Sequence, residues 1–359
     1  MPESPLKSTH EALGASFTDF GGWTMPLKYG SELEEHRAVR SDVGIFDLSH
    51  MGEIDVIGPD AGAFLDYALI SSLSTLKVGK AKYSMIVAED GGIVDDLISY
   101  KLAEDRYLVV PNAANTDAVW LAFQSRAGDF DVELTNRSEE IALIAVQGPR
   151  SLEVLEPLID GSPGDLSYYS AGEMKLGEGA DAIDIIVART GYTGEDGFEI
   201  YSTFGNAPAV WEAVISHGTA CGLAARDSLR LEASMPLYGH ELTADITPVE
   251  AGMGRAFAKK KADFVGKQAL TGREPSVVIA GLTSQDRRAA RKGAEVFIGD
   301  DKIGVVTSGQ PSPTLGYPVA LAHLDPERAE IGTDVEIDIR GRRYPFTIVD
   351  TPFYFRKDS

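Results

Sequence analysis

The sequence predicts an α+β fold in several domains, the last of them all-β, and three observations carry that expectation. The chain has 359 residues, more than one hydrophobic core serves, since cores stop growing at about 250–300 residues. Helical and strand patterns alternate irregularly over residues 1–275, with no internal repeat at a fixed period. Beyond residue 275 short, evenly spaced strand patterns take over, as in a barrel or jelly roll.

Taken in order, Ser31 opens a capping box with Glu34, and the helix it starts stops near Gly44. Periodicity predicts further helices over 60–70, 116–126, 149–159, 207–220 and 225–234. Strand patterns over 83–88, 93–102 and 107–110 are joined by Glu89-Asp90-Gly91-Gly92 and Ala103-Glu104-Asp105, two tight turns that make an antiparallel meander. Lys259-Lys260-Lys261, Gly266, Gly272 and Pro275 then interrupt the pattern, which sets the main boundary near 275. Strands over 277–283, 302–308, 317–324, 334–340 and 343–349 fill a barrel domain at 276–359.

Apolar residues make up 43% and charged residues 25%, the balance of a soluble globular chain. With 33 Lys plus Arg against 55 Asp plus Glu, the formal charge of -22 repels phosphate backbones and argues against nucleic acid as a partner. Arg287, Arg288, Arg291 and Lys292 stand out on so acidic a chain and suit an acidic partner. The single cysteine, Cys221, excludes an internal disulfide and a cysteine-clustered metal site, and is expected to be a small buried apolar residue. No charged segment followed by an apolar run opens the chain, and no stretch approaches the ~18 apolar residues of a membrane span. A cytoplasmic protein with no membrane contact is expected. His50 has no second histidine at ligand spacing, so no metal is expected, and neither a Gly-x-Ser-x-Gly elbow nor a P-loop is present.

Three segments can carry chemistry. In Gly91-Gly92-Ile93-Val94-Asp95-Asp96-Leu97-Ile98-Ser99-Tyr100, two carboxylates lie inside a strand pattern that otherwise reads as buried. Alternation puts Asp96 on one face with Val94, Ile98 and Tyr100, and Asp95 on the other with Ile93, Leu97 and Ser99. Either carboxylate also suits the edge of a Gly-Gly turn. In Arg189-Thr190-Gly191-Tyr192-Thr193-Gly194-Glu195-Asp196-Gly197-Phe198-Glu199, three glycines at a spacing of three permit positive φ or close approach to a ligand. The segment enters a strand, so it is not a dinucleotide fingerprint; a plain hairpin with Glu199 on a solvated edge is the alternative. Arg226 and Asp227 start a helix, where the pair is either a weak surface contact or, in a cleft, a guanidinium placed to grip a carboxylate.

Together, and across nearly the whole chain, these segments resemble the glycine cleavage T-protein family. The likeness rests on Asp19-Phe20-Gly21-Gly22-Trp23-Thr24-Met25-Pro26-Leu27, on Gly44 to Gly52, Gly91 to Asp96, Gln147-Gly148-Pro149, Arg189 to Glu199 and Gly222 to Leu231, and on Thr307-Ser308-Gly309 with Ser312 to Gly316. It implies three domains in a cloverleaf around a central folate-binding opening. The first is discontinuous, so that residues 1–275 hold two interleaved α+β subdomains, and the last is a small β-barrel. It further implies transfer of an aminomethyl group from the lipoyl arm of an H-protein to tetrahydrofolate, a co-substrate, with release of ammonia. By the same resemblance Asp96 lies beside the reacting folate nitrogens, Glu199 recognises the pterin and Arg226 contacts the folate toward its glutamate tail. Tyr83, Tyr100, Asn112 and Tyr192 are expected pocket neighbours, and Met51 is expected to line the opening. These residue types suit the ligand: a carboxylate accepts adjacent N–H donors and a cation meets a glutamate.

Two alternatives from other classes share the fold. A non-catalytic folate-binding relative of the iron-sulfur assembly type carries a functional cysteine in a Lys-Gly-Cys-Tyr context, unlike Ala220-Cys221-Gly222 here. The folate module of a dimethylglycine or sarcosine oxidase needs a flavin domain, and this chain is expected to start directly at the folate module.

Overall fold

A computed structural model describes residues 2–260 and 262–356. Lys261 of the lysine run and residues 357–359 of the expected barrel domain lie outside the described residues. The fold is α+β, and packing divides it into two compact units. The first draws on Met1–Ile86, Val94–Arg226 and Lys260–Val265, the second on Val87–Ile93, Asp227–Lys259 and Gly266–Ser359.

The first unit contains a seven-stranded sheet in the order Ile159–Asp160, Ala171–Leu176, Ile183–Ala188, Gly197–Thr203, Ile141–Gln147, Gly44–Asp47, Thr219–Ala220. Its last pair is parallel. The unbroken apolar run of Ile141–Gln147 is buried at every residue, as a strand covered on both faces must be. Gly197–Thr203 pairs with it on one side and with Ile183–Ala188 on the other, so Glu199 sits on an interior strand. The solvated-edge alternative for Glu199 is thereby excluded.

The meander predicted over 83–110 is present as Ala81–Val87, Ile93–Ala103 and Arg106–Pro111, continued by Ile54–Ile57 and Glu133–Asn136 into a five-stranded sheet. Helices Ala61–Ala68 and Thr116–Arg126 cover it through Phe64, Leu65 and Phe123. Helix Glu32–Ser41 starts as expected, with the Ser31 hydroxyl accepting the Glu34 N–H at 3.4 Å.

Three helices are shorter than periodicity predicts, and the one expected over 60–70 is Ala61–Ala68. The helix expected over 149–159 is Ser151–Leu155, because Pro157 has no N–H to continue the ladder, and Ile159–Asp160 joins the sheet. The helix expected over 207–220 ends at Ile215; Gly218 follows, and Thr219–Ala220 pairs with Gly44–Asp47.

In the second unit six strands close a barrel in the order Val278–Thr283, Pro318–Leu324, Asp301–Pro311, Glu295–Ile298, Asp334–Asp338, Arg343–Val349. Closure is made by Gly281 opposite Val349. Alternating residues such as Ala320, Ala322 and Leu324, or Val335 and Ile337, fill its interior. Glu295–Ile298 is a strand the sequence reading did not contain.

Candidate active site

Asp95 and Asp96 leave the strand Ile93–Ala103 on opposite faces. Ile93, Asp95, Leu97 and Ser99 are buried, whereas Val94, Asp96 and Ile98 are partly open. Asp95 accepts the Asn112 main-chain N–H at 2.9 Å and the Asn115 amide at 2.6 Å, which ties the start of helix Thr116–Arg126 to the strand. Asp96 accepts the Tyr83 hydroxyl on Oδ2 at 3.0 Å. Between the two carboxylates lies the Asn112 side-chain amide, 2.9 Å from both Asp95 Oδ1 and Asp96 Oδ1. Burial raises the pKa of both acids. The Asp96 charge raises Asp95 further, while the Tyr83 and Asn112 bonds and the Arg226 charge pull Asp96 back.

Glu199 forms a second centre. It accepts the Tyr100 hydroxyl at 3.1 Å and the Thr190 hydroxyl. Tyr100 is wholly buried and in turn accepts the Tyr201 hydroxyl at 3.2 Å. Burial, and then the Glu199 charge, push the Tyr100 phenol well above its usual pKa, so it remains a donor. Tyr100 therefore meets Glu199 from within the protein.

The loop between the strands Ile183–Ala188 and Gly197–Thr203 carries Tyr192, and the Arg226 guanidinium lies 4.4 Å from its ring centre. Arg226 enters in the first turn of helix Leu223–Glu232. Gly222 just before it has no room for a Cβ, which would stand 2.2 Å from the Leu27 carbonyl. Asp227 bonds Arg230 at 2.8 Å. Two of the loop's glycines serve an internal group: Cβ atoms at Gly191 and Gly197 would stand 2.0 and 2.4 Å from the Gln147 side chain. Gly194 holds φ at +79°, a value open to glycine. Gln147 donates to the Thr190 carbonyl at 3.1 Å and accepts the Thr193 hydroxyl at 2.9 Å. Arg189 closes the loop through two bonds to Asp196.

The structure thus brings Tyr83, Asn112 and Asp96 into direct contact, Tyr100 against Glu199, and Tyr192 against Arg226. Arg226 acts electrostatically on Asp96, and Tyr192 on Tyr83. Met51 is half-buried in the turn after Asp47, where its N–H donates to the Leu48 carbonyl at 2.9 Å. Sequence reasoning missed Tyr169, whose phenol feels the charges of both Glu199 and Asp96. Tyr169 holds φ at 59°, a strained value for a tyrosine. Its main chain bridges Ala81 and Arg189 at 2.9 and 3.0 Å. No sequence pattern announces such a residue. Cys221 is buried, as expected.

Two carboxylates in unlike surroundings and a ring-backed guanidinium lie on one α+β unit, residue types suited to N–H donors and to an anion. The comparisons give this arrangement its family. The model of the GCVT N-terminal domain matches residues 6–261, and that of the glycine cleavage T-protein C-terminal barrel domain matches residues 278–354. The chain is 59% identical over 366 residues to an aminomethyltransferase of Corynebacterium aurimucosum, covering 98% of each, and 48% identical to that of Cutibacterium acnes, covering 99% of each. It is similar to the crystal structure of glycine cleavage system aminomethyltransferase T from Bartonella henselae, with TM-score 0.90, 38% identity and 99% coverage of both chains. The chain belongs to the glycine cleavage T-protein family.

Proposed function

We propose that this chain is a tetrahydrofolate-dependent aminomethyltransferase of the glycine cleavage system. It takes the aminomethyl group from the lipoyl arm of an H-protein, passes the carbon to tetrahydrofolate and releases ammonia, leaving 5,10-methylenetetrahydrofolate and dihydrolipoyl H-protein. The carbon loses its bonds to sulfur and to the amine and gains two bonds to folate nitrogens. The two protons those nitrogens give up end on the sulfur and on the amine, so no oxidant is required.

The observation that carries this reading is Asp96: a partly open carboxylate set between Tyr83 and Asn112, near Arg226, on a strand face opposite its fully buried neighbour. Fixed in this way, Asp96 stabilises positive charge at the attacking nitrogen without reorganising, and it relays a proton toward the departing amine. Glu199, braced by Tyr100 and Thr190, accepts the adjacent N–H groups of the pterin. Arg226, backed by Tyr192, meets the folate on the way to its glutamate carboxylates. Tyr83 and Asn112 orient Asp96, and Met51 lines the opening.

The folate site belongs to residues 1–275, read as two interleaved subdomains, and the barrel domain to 276–359. Among the described residues no helix is long and apolar enough to cross a membrane; cytoplasmic work with a lipoylated partner, away from membrane and nucleic acid, completes the proposal.

Single-turnover transfer from aminomethyl-lipoyl H-protein tests it. Asp96→Asn keeps the shape and one acceptor but removes the charge, so the rate should fall by about 10²- to 10³-fold while folate still binds. Asp95→Asn should act mainly on stability, through the Asn112 and Asn115 bonds. Near-normal turnover in Asp96→Asn, or a rate collapse confined to a fully folded Asp95→Asn, overturns the assignment.

A further inference from the structure

Glu199 and Tyr201 share one face of the strand Gly197–Thr203, two residues apart, while Phe198 and Ile200 join the apolar core on the other face. Tyr201 is 2% exposed. Its ring meets the Tyr100 ring edge-on, the centres 5.7 Å apart, and its hydroxyl donates to the Tyr100 oxygen at 3.2 Å. Burial, and then the neighbouring Tyr100 and Glu199, push the Tyr201 phenol well above its usual pKa, so it stays a donor. Nothing in the transfer chemistry calls for it.

The hydrogens around Glu199 can be counted, since each hydroxyl has one to give. The Thr190 hydroxyl is within bonding distance of Glu199 Oε2 and, at 2.9 Å, of the Tyr100 oxygen; the Tyr100 hydroxyl reaches Oε2 as well. Two patterns are open. Either Thr190 and Tyr100 bond each other, which leaves Oε2 one donor, or both give their hydrogens to the carboxylate. Tyr201 decides between them. Its hydrogen occupies the Tyr100 oxygen, so the Thr190 hydrogen is not drawn there. A phenol that accepts a bond also donates more strongly, and a carboxylate is a better acceptor than a hydroxyl. Both hydrogens then converge on Oε2. Among the described residues Oε1 takes no bond, which leaves it to the N–H groups of a ligand.

We propose that Tyr201 is a positioning residue for tetrahydrofolate: acting through Tyr100, it holds Oε2 of Glu199 under two hydroxyls and so keeps Oε1 for the N–H groups of the pterin. The inference rests on the reading of Glu199 as the carboxylate that meets the pterin.

Tetrahydrofolate titrations on the full chain test it, with a thermal melt of each variant to check its fold. Tyr201→Phe keeps the packed ring and removes only the hydroxyl. It should weaken tetrahydrofolate binding about fivefold, the worth of one neutral hydrogen bond, and raise the KM for tetrahydrofolate with kcat unchanged. In an Arg226→Ala background the same fivefold loss should persist, because Arg226 meets the other end of the ligand. In a Glu199→Ala background it should vanish, because no carboxylate is left to hold. A tyrosine that served packing alone would lower the melting temperature in every background and show no such pattern. Wild-type affinity in folded Tyr201→Phe overturns the proposal, as does a loss of equal size with and without Glu199, or a fall in kcat at unchanged KM. If Glu199→Ala alone binds tetrahydrofolate like the wild type, the reading of Glu199 fails and takes this proposal with it. If Glu199→Ala weakens binding and Tyr201→Phe does not, only Tyr201 loses its role.

Discussion

Asp95 and Asp96 are neighbours in sequence with unlike duties, and the difference comes from the two-residue period of a strand. The raised pKa of Asp96, about 6, makes the site sensitive to pH in two opposite ways. An acid raised above its unfolded value binds more protons in the native state between the two pKa values, so stability should fall as pH rises through that window. In the proposed role of Asp96, transfer needs the carboxylate and should fall as pH drops through about 6. A thermal melt and a single-turnover pH profile on the same protein check the two signs together; parallel trends would contradict the assignment. In the proposed site Glu199 and Arg226 act on binding, each meeting one end of the folate. Replacing either with Ala removes a charged hydrogen-bond partner, a loss of about 1.5 to 3 kcal/mol, so folate affinity should weaken by roughly one to two decades. A folate titration at wild-type affinity would reject the residue concerned.

Strand Ile93–Ala103 and the loop Arg189–Asp196 show what local pattern can and cannot disclose. Alternation alone separated Asp95 from Asp96, and periodicity placed helix Thr116–Arg126 at its observed bounds, because both signals lie within one element. The strand Glu295–Ile298 escaped notice because its pairing with Asp301–Pro311 and Asp334–Asp338 is non-local and its own pattern is only four residues long. The loop glycines were legible as glycines that matter, yet what presses on Gly191 and Gly197 is Gln147, on a strand that precedes the loop by more than forty residues. No spacing rule points to it. Gly197→Ala should force the buried Gln147 from its bonds to Thr190 and Thr193, a loss of about 1 to 3 kcal/mol as for other overpacked interiors. Urea denaturation measures it. Folate affinity should fall with it, since the same loop presents Tyr192 to Arg226.

At the scale of the whole molecule, the formal charge of -22 makes the exposed cluster Arg287, Arg288, Arg291 and Lys292 its exception. Arg291 reaches the Gly309 carbonyl at 3.2 Å, and Arg288 lies 5.0 Å from the Tyr344 ring centre, so the barrel surface holds the cluster in place. Rim charges mostly set encounter rate and salt dependence. Arg291→Glu should therefore raise the apparent KM for H-protein at low salt and leave folate binding alone; identical kinetics at low salt would remove the docking role. The first unit also has a history along the chain. Its carboxylates at 95 and 96 and its guanidinium at 226 are 130 residues apart, counted from 96 to 226. At about 5 to 20 residues per second, a ribosome needs on the order of ten seconds to pass from one to the other. For that interval the nascent chain carries two adjacent acids, which favour water while ionised, without the guanidinium that, after the Tyr83 and Asn112 bonds, offsets part of the burial at Asp96 in the finished protein. The Asp96 face of the strand is therefore expected to close late, once the helix bearing Arg226 has left the exit tunnel.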